Sequence, residues 1–375
     1  MNEAVKVATR KSPLDEVHKS LGAVMTDCGD WSLPASYGDE LFEYAHVRER
    51  GAGLIDLSSR GRVRVTGSEA VPFLNGLITN DMKTLLANRW MPAVFPNVQG
   101  RILASVRIIR LADDKAGKVA VPVFVLDTEA ATHDRVVQTI ERFTFAGDFH
   151  VTDLTSQTAL ISLQGKTSRE KIQAVLGATA AATSKGGVTQ SIWKGETVAS
   201  MRASHTAADG FDLIVNASHA AGLWHAFVGA GVRPVGHEAL EILRIEAGIP
   251  RYGADMDDTT VVTETSLDDA VSYTKGCYIG QEIIARIKYR GHVAKKLRGL
   301  ICGLPGTIDG QAVLKSIDGK EVGRTTSTTL SPHLGCRIAL GYTRYEHMAS
   351  GTEVRVNELP ARIVDLPFVT PDAQE

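Results

Sequence analysis

The stretch KGCYIGQE, residues 275–282, combines residue types that favour thiol chemistry. Cys277 has glycines close by on both sides, Gly276 and Gly280, and Lys275 precedes it by two positions. A nearby cation or helix N-terminus stabilises the thiolate, which is the reactive form of cysteine. The glycines would let a ligand or another backbone approach closely. The same residues also suit an ordinary tight turn around a small, partly buried cysteine, and a covalent enzyme would need a base in addition.

Two aspartates lie at strand positions where a carboxylate could accept hydrogen bonds from the edge of a planar ligand. Asp212 begins the apolar run after the turn at Asp209, and Asp127 ends the run VFVLD. A carboxylate can accept two parallel hydrogen bonds from a guanidine-like edge. Alternatively, Asp209 shapes its turn and Asp212 faces water. Asn97, in the stretch NVQGR, indicates a hairpin turn, with Gly100 present for backbone reasons.

A basic segment follows at residues 286–298. It could hold a polyanion, such as a polyglutamate tail or RNA phosphates, or it could be a solvated helix face with a linker. Tyr289 is its one interleaved aromatic residue, which makes nucleic acid a weak prediction. His292 could serve Cys277 as a base if the intervening helix folds back.

Composition excludes several classes of protein. The chain has 375 residues, of which 43% are hydrophobic and 22% charged, with a formal net charge of −2. These globular values give no global attraction to nucleic acid or anionic membrane, and no apolar run nears the roughly 20 residues that span a bilayer. We expect a reducing, cytoplasmic location, because no signal peptide is recognisable and the cysteines are widely spaced, at Cys28, Cys277, Cys302 and Cys336.

Hydrophobic periodicity predicts an α+β protein. In the first part we predict helices at 14–27, 38–51, 68–81 and 129–145, and strands at 61–67, 100–111, 118–127 and 149–165. A second alternation suits a split βαβ unit, with strands at 158–165 and 210–216 and helices at 167–177 and 219–231. A strongly amphipathic helix follows in the stretch 236–253 and ends at Gly248 and Pro250. Short strands separated by Gly, Asp and Pro turns follow a boundary near 292–296 and predict a small all-β barrel or sandwich.

Several motifs resemble the YgfZ-type folate-binding proteins of the glycine cleavage T-protein (aminomethyltransferase) superfamily. They cover roughly residues 16–370 and include YAHVRERGAGLIDLSSRGRVRVTG, FLNGLITNDM, NVQGR, LRIEAGIPRYGADMD and KGCYIGQEIIARIKYRG. The resemblance implies a three-domain cloverleaf around a channel for tetrahydrofolate. Its implied domains are 1–150 with 239–292 for folate binding, 151–238 as an inserted ferredoxin-like split βαβ domain, and 293–375 as the C-terminal β-barrel.

The resemblance also implies site residues. Tetrahydrofolate, or a one-carbon derivative, would be held by Asp212, Asp127, Asn97, Gln281 and Gly276. Cys277 and Lys275 would be the reactive groups. No metal site is expected, because one motif cysteine cannot hold an iron–sulfur cluster alone.

Five positions depart from the T-protein pattern. Ala104 and Ser105 stand where T-proteins have an acidic pair that supplies the catalytic aspartate. His205 replaces a tyrosine, and Leu240 replaces a folate-contacting arginine. Asp212 is one methylene shorter than the usual glutamate. Because losing a catalytic acid removes orders of magnitude in rate, these departures weigh against ordinary aminomethyl transfer.

The expected function is therefore that of a tetrahydrofolate-binding accessory protein. It would support iron–sulfur cluster assembly or repair, or an iron–sulfur tRNA-modifying enzyme. The alternative is a folate-dependent aminomethyltransferase or demethylase of the T-protein type. We expect folate as a ligand and iron–sulfur proteins as candidate partners, no direct nucleic-acid or membrane binding, and a monomer.

Overall fold

The computed structural model describes residues 9–114, 120–142, 144, 147–303 and 310–370. In chain order the described α-helices are α1 (Asp15–Ser20), α2 (Glu40–Ala45), α3 (Ala70–Leu77), α4 (His133–Glu141), α5 (Ser168–Leu176), α6 (Ala178–Ala181), α7 (Ala217–Gly229), α8 (His237–Glu246) and α9 (Gln281–Arg290). A π-helical turn, His46–Arg50, continues α2, and short 3-10 turns lie at Met82–Thr84, Ala130–Thr132, Val262–Glu264, Asp268–Ala270 and Tyr345–His347.

The described strands fall into three open or closed sheets and a small N-terminal sheet. Their bounds are β1 (Arg10–Lys11), β2 (Val24–Cys28), β3 (Trp31–Ser36), β4 (Gly53–Asp56), β5 (Gly61–Thr66), β6 (Arg89–Pro96), β7 (Ile102–Arg110), β8 (Val123–Thr128), β9 (His150–Asp153), β10 (Thr158–Gln164), β11 (Val188–Trp193), β12 (Glu196–Arg202), β13 (Gly210–Asn216), β14 (Arg233–Pro234), β15 (Lys295–Cys302), β16 (Val313–Ser316), β17 (Glu321–Ser331), β18 (Cys336–Arg344), β19 (Glu353–Val356) and β20 (Leu359–Val364).

The described residues divide into two compact units. The first lies within Met1–Gly61 and Leu154–Glu241, and the second lies within Arg62–Asp153 and Ile242–Glu375. The three-domain boundaries implied by the resemblance remain a prediction. In the main sheet of the first unit, β4 pairs with β10.

The first unit is built on a six-stranded sheet in the order β11-β12-β13-β10-β4-β14. Apolar residues of α5 and α7 pack on it in one core that includes Leu163, Leu223 and Trp224. This core leaves the opposite face and the ends of the strands for polar side chains such as Asp212 on β13.

The second unit holds a five-stranded sheet and a barrel. The sheet order is β6-β7-β8-β5-β9, and its core includes residues of α3 and α4 such as Leu74 and Val136. The closed barrel runs β15-β18-β17-β16-β19-β20 around an interior that contains Leu300, Leu314 and Ile363. The predicted all-β C-terminal barrel is confirmed.

Several predicted elements need correction. The helix predicted at 14–27 ends at Ser20, because Gly22 takes a left-handed φ of +76° and the chain then enters β2. Ser68 does not cap α3 but hydrogen bonds Asp148 through its amide and hydroxyl. Thr167 likewise makes no side-chain cap on α5. The amphipathic helix predicted from residue 236 to Gly248 ends two residues earlier, at Glu246. The hairpin of β11 and β12 was not predicted.

Candidate functional site

The segment before α9 is tied to the end of α3 by Lys275. Its side chain is 7% exposed, and Nζ donates to the backbone carbonyls of Asn75, Ile78 and Asn80 at 2.7, 2.9 and 2.6 Å. The last carbonyls of a helix have no partners within that helix, and a lysine can supply the missing donors. Burial lowers the pKa of Lys275 to about 8.

This arrangement gives Lys275 a structural contact. An ammonium group has three donors, and here all three are used by carbonyl oxygens. The contact argues against the expectation that Lys275 acts as an open cation beside Cys277. Cys277 itself is exposed, with Gly276 beside it in open space.

The start of α9 packs directly on the hairpin between β6 and β7. Gly280 precedes the helix with φ +76°, and a Cβ at this position would lie 2.3 Å from the carbonyl oxygen of Asn97. The Asn97 side chain accepts from the amides of Gln99 and Arg101 at 2.9 and 3.0 Å, which shapes the turn as expected. Gln281 Nε2 reaches the carbonyl of Lys275 at 3.4 Å.

The second unit therefore brings five of the predicted site residues together around the start of α9. They are Asn97, Lys275, Gly276, Cys277 and Gln281. The side chains of Asn97, Lys275 and Gln281 hydrogen bond to backbone atoms, so the structure gives them roles in holding the loop. That they also contact tetrahydrofolate remains a prediction.

Asp127 lies on β8 of the second unit with no exposed surface. Its Oδ2 is 2.5 Å from Nε of Arg107, the residue directly opposite on β7. The guanidinium keeps its proton in proteins, so this contact is an ion pair. The Arg107 guanidinium also lies 6.0 Å from the ring centre of Trp90. A buried carboxylate at this position agrees with the predicted polar role of Asp127, although its ligand remains a prediction.

Asp212 lies on β13 of the first unit and is also fully buried. The alternative that it faces water was wrong. Its Oδ2 is 2.8 Å from Nε2 of His205, the residue that replaces a tyrosine in the T-protein pattern. Asp209 shapes the turn: it forms a two-point ion pair with Arg202 at 2.8 and 3.0 Å and accepts from the amide of Gly210.

The strand β7 contains the two positions where T-proteins carry acids. Ala104 has no exposed surface and belongs to the core of the second unit. Ser105 is half-buried on the opposite face. Because side chains alternate along a strand, Ser105 shares its face with Arg107, whose partner is Asp127. The nearest paired carboxylate on that face is thus supplied by the neighbouring strand.

Sequence reasoning missed Arg107 and the carbonyl partners of Lys275. Arg107 alternates with apolar residues in the run SVRIIR, and a charge at such a position is the signal that could have marked it. The partners of Lys275 lie about 200 positions earlier in the chain, and no local pattern indicates them.

The basic segment 286–298 is mostly engaged with neighbouring side chains. Lys288 lies over the ring of Tyr273 at 5.1 Å and Lys295 over that of Tyr342 at 4.7 Å. Lys296 pairs with Asp268 and Arg298 with Asp365. This pattern fits the alternative of a solvated face and linker better than a polyanion site. His292 is exposed and stacks on Tyr345 at 4.1 Å. Among the described helices, none is both long and apolar enough to cross a bilayer.

Two family models match the chain. The GCVT N-terminal domain matches residues 14–275, and the glycine cleavage T-protein C-terminal barrel domain matches residues 295–370. The second match coincides with the six-stranded barrel.

Relatives with these domains are similar over almost the whole chain. The aminomethyltransferase of Thermotoga neapolitana is 32% identical, covering 88% of this chain and 89% of the relative. The aminomethyltransferase of Symbiobacterium thermophilum is 32% identical, covering 98% of each chain. The crystal structure of glycine cleavage system aminomethyltransferase T from Bartonella henselae superposes with a TM-score of 0.87 at 25% identity, covering 96% of this chain and 98% of that one.

These similarities confirm the predicted T-protein-like α+β fold and the superfamily. They support tetrahydrofolate, the one-carbon carrier of aminomethyltransferases, as the cofactor predicted for the family. The finer assignment to the YgfZ-type branch is not confirmed, since the relatives above are named aminomethyltransferases. The chain belongs to the glycine cleavage T-protein family, the family of the aminomethyltransferases.

Proposed function

We propose that the protein binds tetrahydrofolate and takes part in one-carbon transfer of the aminomethyltransferase type. The observation that carries this proposal is the similarity at 32% identity over 98% of the chain to a protein named aminomethyltransferase. The buried carboxylates at both positions expected to meet the pterin add support.

The residues fit a pterin in chemical type. Asp127 and Asp212 are both fully buried carboxylates, and a planar amino-pyrimidine edge donates two parallel hydrogen bonds to such a group. A carboxylate offers about four acceptor sites, so a cationic neighbour and a ligand edge can share it. In this proposal Arg107 orients the carboxylate of Asp127 and His205 orients that of Asp212. Tetrahydrofolate would carry the one-carbon unit.

The proton chemistry must differ from that of T-proteins with the acidic pair. Ala104 and Ser105 offer no carboxylate, so Asp127 is the carboxylate on the Ser105 face that could stabilise a developing cationic amine. The positive charge of Arg107 partly cancels the negative charge of Asp127, so Asp127 stabilises a cationic amine less. We therefore expect aminomethyl transfer to be slow.

Tetrahydrofolate binding is tested first. Isothermal titration with tetrahydrofolate should show binding to the native chain, and Asp127→Asn and Asp212→Asn should each weaken it about tenfold or more. Asp30→Asn, at a carboxylate whose side chain is 49% exposed, is the matched control and should bind normally. Absence of binding to the native chain would refute the proposal.

Turnover is tested separately. Formation of 5,10-methylenetetrahydrofolate from an aminomethyl donor should exceed background with the native chain. Ser105→Asp places a second carboxylate on the face of Asp127 and should raise the rate by about a hundredfold, the scale of one acid–base group. Binding without any turnover in either protein would reject the transferase activity and keep the folate site.

A second candidate function rests on Cys277. The thiol is exposed on a loop held by the three hydrogen bonds of Lys275, a geometry that lets a partner protein reach the sulfur. It favours the accessory role in iron–sulfur cluster assembly or repair, or in support of an iron–sulfur tRNA-modifying enzyme. Cys277→Ala should then abolish support of iron–sulfur enzymes in cells that lack the native gene, with the fold unchanged. Full complementation by this variant would exclude the role.

A further inference from the structure

A polar cavity of about 450 Å³ lies in the second unit, between residues 253–260 and the barrel. Strands β15, β17 and β18 form its barrel wall. None of the residues proposed above to bind folate lines it. Its volume is in the range of small-molecule pockets.

One wall is basic. Arg324 on β17 is directly opposite Tyr342 on β18, and Lys295 on β15 is directly opposite Arg344 on β18. Opposed residues share a face, as do residues two apart on one strand, so all four side chains point the same way. Arg324 and Arg344 are exposed, and neither guanidinium has an ion pair or hydrogen bond within the described chain.

The facing loop is acidic. Asp257 Oδ1 accepts from the amide and hydroxyl of Thr259 at 2.9 and 2.6 Å and from the hydroxyl of Thr260 at 3.2 Å. These hydrogen bonds, led by that of the Thr259 hydroxyl, lower the pKa of Asp257 and keep it ionised. Asp255, in contrast, is occupied by Arg244 at 2.7 Å.

A buried hydroxyl completes the cavity. Tyr342 lines it and is 8% exposed; its Oη makes no full hydrogen bond among the described residues, although the nearby Thr260 side chain interacts with it. A buried hydroxyl without a full hydrogen bond costs about 1–3 kcal/mol, so a water or a ligand that accepts from Tyr342 would be favoured. Burial raises the pKa of Tyr342, which therefore stays a neutral donor.

We propose that this cavity binds a free α-amino acid. Arg324 and Arg344 would take the carboxylate, with their planar forks matched to two oxygens. Asp257 would accept a hydrogen bond from the ammonium group through Oδ2, because Oδ1 already accepts from Thr259 and Thr260. Tyr342 would donate to the carboxylate or to a side-chain acceptor. The cavity exceeds the size of the amino-acid backbone, which leaves room for a side chain.

The test uses the full chain and the twenty free amino acids, each at millimolar concentration, in thermal-shift and calorimetric titrations. At least one should raise the melting temperature and bind. The primary amide and the N-acetyl derivative of that amino acid should each bind about tenfold more weakly, because each removes one charge-assisted contact. Absence of any shift across the panel would overturn the proposal.

Variants assign the contacts. Arg324→Gln, Arg344→Gln and Asp257→Asn should each weaken binding about tenfold, and Tyr342→Phe should do so by a few-fold. Arg355→Gln, on β19 in a pair with Glu358 and outside the cavity, is the control and should bind normally. Equal binding of the N-acetyl derivative, or unchanged binding by Arg324→Gln and Arg344→Gln, would also overturn the proposal. Tetrahydrofolate binding should be unaffected by these variants, which separates this outcome from that of the folate proposal.

Discussion

Two of the buried carboxylates, those of Asp127 and Asp212, are held by different partners. Asp127, in the second unit, is paired with the guanidinium of Arg107, which is always charged. Asp212, in the first unit, is paired with the imidazole of His205, which can be neutral or charged. Both carboxylates have no exposed surface. The difference sets a guanidinium ion pair against a hydrogen bond from an imidazole as two ways of holding a buried carboxylate.

The largest effect expected from this comparison comes from Arg107→Gln. Removing the guanidinium leaves a buried carboxylate without its cation, which costs about 3–5 kcal/mol in the free energy of unfolding. Urea denaturation measures the loss. Arg64→Gln, at a partly exposed arginine 3.7 Å from Asp114, is the control and should cost about 1 kcal/mol or less. A loss at Arg107 as small as that of the control would show that the ion pair is not needed.

Lys275 extends the comparison to a buried cation held by carbonyl oxygens. Lys275→Met leaves the carbonyls of Asn75, Ile78 and Asn80 without this donor and should cost about 2–3 kcal/mol in unfolding free energy. Thermal and urea denaturation of the variant measure it. Lys320→Met, at a lysine whose side chain is 80% exposed, is the matched control. Equal stability of the two variants would contradict the structural role of Lys275.

The same lysine makes stability depend on pH. Its pKa is lowered from 10.5 to about 8, so between these values the unfolded chain binds more protons than the folded chain. The contribution of Lys275 to the unfolding free energy therefore rises with pH across this window. The native chain should show this rise, and Lys275→Met should lack it. Parallel pH profiles of the two proteins would disprove the lowered pKa.

His205→Gln should have the smallest effect. Glutamine retains an N–H donor for Asp212, so the cost should be about 1 kcal/mol and below that of Arg107→Gln. His205→Ala removes the donor and should cost more. Urea denaturation of all variants in one buffer ranks them. A loss for His205→Gln equal to that for Arg107→Gln would mean that Asp212 needs a full positive charge.

Local sequence patterns predict those helices and strands whose periodicity and end residues both lie within the same short stretch of sequence. Strand β13 and helix α9 lie where alternation and the glycine at 280 place them. The helix predicted at 14–27 shows where such patterns fail. Gly22 takes a left-handed φ, so the helix ends before it and β2 begins at Val24. For the site, burial of Asp127 follows from its apolar strand. Its pairing with Arg107 depends on the register of β7 and β8, which a single strand does not reveal.

The pairing of β4 with β10 has a consequence for synthesis. Ile161 on β10 pairs with Asp56 on β4, so β4 can pair with β10 only after about 100 more residues have been synthesised. Until then β4 emerges from the ribosome as an apolar segment without a sheet. A fragment that starts at residue 151 would lack β4, and it would expose the backbone edge of β10 to intermolecular pairing.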